Sequence, residues 1–120
     1  MDATDFLDFA KKLDTTIEAN SRSCVSRSYY CAYHESKKFI EDKLNIEVDR
    51  AQGGTHERLS KILINEKDPK LKGLGYKMVT FHSRRVKADY FLDEKCTDIS
   101  AKEAITECEK ILKAIEDFSS

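Results

Sequence analysis

Between residue 22 and about residue 45 the chain runs without a glycine or a proline, and its apolar positions recur at helical spacing. Val25, Tyr29, Ala32, Tyr33, Ser36, Phe39, Ile40 and Leu44 define one side of this segment. That pattern predicts the longest helix of the molecule, and the rest of the fold must pack against it. The chain has one proline and four glycines in 120 residues, which leaves little room for a turn-rich β architecture. Apolar residues make up 40% and charged residues 36%, the balance of a globular chain rich in Lys, Glu, Leu and Ala.

Other segments carry the same period. Residues 4 to 19 read as a first helix with Phe6, Phe9, Leu13 and Ile17 on one stripe, interrupted and then capped at Asn20 and Ser21. The stretch "EVDRAQGGTH" breaks the pattern. Thr55 then opens a short helix carrying Leu59, Ile62 and Leu63. Asp68 and Pro69 read as the cap and first turn of a fourth helix from about 70 to 92. Its stripe is Leu71, Leu74, Met78, Phe81 and Leu92, with Gly73 and Gly75 weakening its first turns. Ser100 and Glu103 read as a capping box for the last helix, whose core residues are Ala104, Ile105, Cys108, Ile111, Leu112 and Ile115. Together these predict one all-α domain over residues 1–120, an antiparallel up-and-down helical bundle of four long helices plus one short helix.

Charge and cysteine usage narrow the setting. The net charge of −1 argues neither for nor against nucleic acid. Residues 70 to 95 hold seven basic side chains against three acidic ones, which reads first as a solvated helix face. Cys24, Cys31, Cys96 and Cys108 form no CxxC pair and have no zinc spacing. No signal peptide or membrane-spanning run is legible, so the expectation is a cytoplasmic protein with reduced thiols, no metal and no cofactor.

The segment "SRSYYCAYHES" carries the chemistry. Arg27 and His34 stand seven residues apart, which returns a helix to within about 20° of its start and advances it roughly 10.5 Å. They share a face, and the wheel puts Cys24 and Cys31 on the same stripe, turned away from the core. If two copies pack this helix antiparallel across a two-fold axis, the arginine of each approaches the histidine of the other. Imidazole serves as base or acid near neutral pH, and guanidinium holds phosphate oxygens. Those are the parts of metal-independent RNA cleavage by a 2′-hydroxyl. Tyr30 flanks the face and is placed to stack a base. Arg85 and Asp89, four apart on the fourth helix, read as a partly buried ion pair. His56 and His82 read as structural or edge residues.

These residues resemble a known family. "SRSYYCAYHESKKFIEDKL" is similar to the Ser-Arg-x-Tyr-Tyr-Ala-x-x-His helix of the HEPN superfamily, whose signature is an Arg and a His separated by four to six residues. "GGTHERL" resembles the Thr-His segment opening the third helix of its small prokaryotic branch. "RRVKADYFLDEKCTDISAKEAITECEKIL" resembles that branch's Arg-x-x-Ala-Asp-Tyr stretch and final helix. The resemblance covers about residues 20 to 118. It implies a homodimer with Arg27 and His34 as catalytic residues at its cleft, Tyr30 and Ser28 near the RNA, and Arg85 and Asp89 in support. It implies an endoribonuclease of toxin–antitoxin or defence systems, often partnered by a nucleotidyltransferase antitoxin. The alternative it implies is a non-catalytic module binding RNA, a nucleotide or that partner. Ser28 stands where many active members carry Asn, Asp or His. Ser36 stands where one subgroup carries a modifiable tyrosine, so modification there is not implied.

Overall fold

A computed structural model describes residues 1–50 and 53–119, and all regular structure among them is helical. Five α-helices fold into one compact unit: α1 Thr4–Lys12, α2 Glu18–Lys43, α3 Thr55–Ile64, α4 Pro69–Tyr90 and α5 Asp98–Ser119. A short 3-10 turn lies at Val48–Arg50. The expected break "EVDRAQGGTH" includes Ala51 and Gln52, which lie outside the described residues.

Three helices are long and two are short, where four long ones were expected. The difference is the end of α1. The chain leaves the helix at Leu13, not at Asn20, because the Asp14 side chain competes for the backbone. Asp14 Oδ1 accepts from the Thr16 amide at 3.1 Å and from its hydroxyl at 2.6 Å. Asn20 and Ser21 sit inside the first turn of α2 and tie it to this turn, through Asp14 O and Thr15 O. The inward stripe of α1 is also displaced: Leu7 and Ala10 are buried, whereas Phe9 and Ile17 are half exposed.

At α4, Asp68 caps as expected, accepting the Lys70 amide at 2.8 Å, with Pro69 in the first turn. Leu71, Leu74, Met78 and Phe81 are buried; Leu92 lies beyond the helix end and is exposed. Gly75 is required there, since a Cβ would stand 2.8 Å from Ile64 Cγ1 and 3.0 Å from Ile64 N. At α5 the cap is Thr97, whose Oγ1 accepts the Ser100 amide at 3.1 Å, so the helix starts before the expected Ser100–Glu103 box. Thr55 is the first residue of α3, and Gly54 precedes it.

α2 is the central element. It packs against α5, α1 and α4, and touches α3. Val25, Tyr29, Ala32, Tyr33, Phe39 and Ile40 are buried as the periodicity predicts. Cys24 and Cys31, placed by the wheel on the outward stripe, are completely buried instead. Cys24 Sγ lies 3.7 Å from Ala101 O, and the buried Cys31 and Cys108 thiols lie beside each other in the core. A helix wrapped on three sides keeps only a narrow strip in water, and small thiols suit the wrapped flanks. No helix among the described residues is long and apolar enough to cross a membrane.

Candidate functional site

Arg27 and His34 stay on that narrow strip, and both are exposed. Phe6 of α1 fills the space between them. The Arg27 guanidinium carbon lies 5.8 Å from the Phe6 ring centre, and the His34 ring stacks on the same ring at 5.9 Å and 14°. One aromatic side chain thus fixes the cation and the imidazole against a common surface. Beside His34 a shallow hollow opens, lined by Met1, Asp2, Phe6, Glu35 and Lys38.

Tyr30 is the second hub. Its ring lies 6.0 Å from the Arg27 guanidinium and 5.1 Å from that of Arg85. Arg85 Nε donates to Asp89 Oδ2 at 2.8 Å, and Ser26 Oγ donates to the same oxygen at 3.3 Å. The Arg85–Asp89 pair is therefore both formed and mostly sheltered, and it is tied to α2. Ser28 is fully buried, so its hydroxyl takes no part in this surface.

The sequence pattern missed a third group. His56, at the start of α3, and His82 of α4 stack with ring centres 4.5 Å apart. Tyr29 Oη and His56 Nδ1 share a hydrogen bond of 2.6 Å. Tyr33 then bridges the histidines, meeting His34 at 5.2 Å and His56 at 4.9 Å, both edge to face. All three histidines of the chain thus gather around Tyr29, Tyr30 and Tyr33. No local signal reveals this, because His56 is far in sequence from the tyrosines and from His82 that it meets; only the step of three from His82 to Arg85 hints at a shared side.

Electrostatics follow from burial. His56 is held down to about 4, first by desolvation, then by His82, Arg85 and His34. His82 is lowered by burial and by Arg85. Tyr29 is raised, chiefly by burial, and stays a neutral phenol. At neutral pH the His56–His82 stack is uncharged, and Arg27 and Arg85 bring fixed positive charge to the region.

The basic stretch 70–95 does not form one patch. Lys72 Nζ donates to Ile64 O at 2.8 Å, Arg85 is paired, and Arg84, Lys87 and Lys95 line a separate hollow with Arg22. Among the described residues no group of three or more His, Cys, Asp or Glu side chains is placed to hold a metal ion. Comparison of the chain with protein-family models, with curated proteins and with solved structures finds no significant match in any of the three.

Proposed function

We propose that this chain is an HEPN-type, metal-independent endoribonuclease of a toxin–antitoxin or defence system, an antiparallel bundle that works as a homodimer. The observation that carries this reading is the exposure of Arg27 and His34 on either side of one ring, Phe6. In the reaction, a ribose 2′-hydroxyl gives its proton to the His34 imidazole and its oxygen attacks the adjacent phosphorus. The bond from phosphorus to the 5′-oxygen breaks, and that oxygen leaves with a proton from solvent, to which His34 then returns the proton it took. The products are a 2′,3′-cyclic phosphate and a 5′-hydroxyl. Arg27 holds the non-bridging oxygens as charge develops. Tyr30, with Arg27 and Arg85 beside its ring, offers the aromatic surface for a base. Asp89 fixes Arg85. The four cysteines are all free, which suits the cytoplasm.

A second reading, a non-catalytic module that binds RNA or a nucleotidyltransferase partner, is favoured by one observation. The residue following Arg27 is the fully buried Ser28, so it adds no polar group beside the arginine. Incubation with diverse RNAs in excess EDTA separates the two. The enzyme cuts RNA, and Arg27→Ala or His34→Ala each lowers the rate by about 100-fold or more. Both residues are exposed, so neither change shifts the melting temperature appreciably. Tight RNA binding with no cleavage by the wild-type protein overturns the enzyme in favour of the module.

A further inference from the structure

The hollow that Arg84, Lys87 and Lys95 share with Arg22 opens between α4 and α5 and has a volume of about 220 Å³. The buried Val25 and Ala88 form its apolar floor. Three segments bring cations to it: α2, α4 and the turn between α4 and α5. Arg85, next in sequence to Arg84, turns instead to Asp89 and Tyr30, on the Arg27 side. The two groups of cations are therefore separate.

The carboxyl end of a helix is ordinarily a poor place for an anion, because its last carbonyls carry the negative end of the dipole. At α4 that end is closed. The Arg22 side chain is only 12% exposed, and its donors go to Glu18 and to the carbonyls of Lys87, Ala88, Phe91 and Glu94. With those carbonyls satisfied, Arg84, Lys87 and Lys95 remain, and none of them stands in an ion pair among the described residues. Two exposed carboxylates, Glu94 and Glu103, lie at the rim. Against them stand the three cations and the amino end of α5, where Ser100 lines the hollow and the helix dipole adds partial positive charge.

The flank of α4 that leads to the hollow is basic throughout. Lys70, Lys77 and Arg84 follow at steps of seven, with Lys87 one turn on, and Gly73 and Thr80 fill the positions between them. This flank faces α5: Lys70 and Lys77 border a hollow with Ala114, and Arg84 borders another with Thr106. An acid-free flank of this kind draws anions along the groove. We infer that the hollow at its end binds a small ligand through a phosphate monoester or pyrophosphate group. Arg84 and Lys87, three apart on one helix, hold its oxygens from one wall, and Lys95 closes on it from the turn. A space of this size takes a small molecule and excludes a helix, which is about 10–12 Å across.

The test needs no RNA cleavage, so it stands or falls apart from the ribonuclease reading. Cys96 lines the hollow and is the one cysteine that is not buried, so a neutral alkylating reagent, iodoacetamide, applied to the folded protein reports on this place. Inorganic pyrophosphate is expected to slow the alkylation of Cys96, and titration calorimetry is expected to give a matching affinity. Arg84→Gln, Lys87→Gln and Lys95→Gln all change exposed residues, so each is expected to keep its melting temperature while weakening pyrophosphate about tenfold. Lys43→Gln, an exposed control at the far end of α2, is expected to bind as wild type. Absence of calorimetric binding at millimolar pyrophosphate, equal protection by sodium chloride of the same ionic strength, or unchanged affinity in all three variants overturns the site. An RNA oligonucleotide without a terminal phosphate that protects Cys96 as well as pyrophosphate overturns the small ligand in favour of a nucleic-acid backbone.

Discussion

At the scale of single residues, the surroundings of a histidine decide what it does. His34 lies in water against Phe6; His56 lies half-buried between Tyr29, Tyr33 and His82. The spacing of Arg27 and His34 was enough to place both on one exposed face. The role of Phe6 was not legible, because a stripe of four residues on α1 gave no sign of which member leaves the core to meet α2. The His56 environment has a consequence for stability. Its folded value is about 4 against an ordinary 6.5, so the unfolded chain takes up the proton first as pH falls. The contribution of neutral His56 is therefore complete above about 6.5 and is lost as pH falls from there to about 4. Because water screens a half-buried ring, the loss is on the order of 1 kcal/mol rather than the full value of the shift. Urea unfolding at pH 7.5 and pH 4.5 is expected to show a larger loss for the wild-type protein than for His56→Asn. Equal losses would show that the ring titrates alike in both states.

At the scale of elements, α4 is capped at its start by the adjacent Asp68 and closed at its end by a residue of α2. Arg22 of α2 donates to the carbonyls of Lys87, Ala88, Phe91 and Glu94, closing the end of α4, and is itself braced by Glu18. Arg22→Met is expected to cost about 2 kcal/mol, and Arg22→Lys to recover little, since an ammonium cannot span the four acceptors. Denaturant midpoints, with amide exchange over residues 87–94, measure both. The glycines near the start of α4 diverge in the same way. Gly75 lies against Leu63 and Ile64, so Gly75→Ala is expected to destabilise by about 1–2 kcal/mol despite its better helix propensity. Gly73 has nothing within 4 Å of an added Cβ, and Gly73→Ala is expected to stabilise by about 0.5–1 kcal/mol. A change of the same sign at both positions would contradict the packing of α3 on α4. Helix types and the Asp68–Pro69 start were legible because each rests on neighbours in sequence. The end of α1 was not, because a polar side chain, Asp14, overrode an apolar period that continues to Ile17.

At the scale of the whole molecule, burial of Cys24 and Cys31 changes the meaning of the central helix. A wheel drawn for one helix shows which residues share a side, not how many neighbours that side has. With α1, α4 and α5 packed around it, α2 retains one exposed strip, and Arg27 and His34 stand on it. The central claim is that Arg27 of one protomer acts with the partner's His34. Arg27→Ala and His34→Ala chains, each inactive alone, test it when refolded together and assayed for RNA cleavage in EDTA. Random pairing makes half the dimers hybrid, each with one intact site of two, so about a quarter of wild-type activity is expected to return. Wild-type cleavage with no recovery in the mixture would contradict a site shared between protomers.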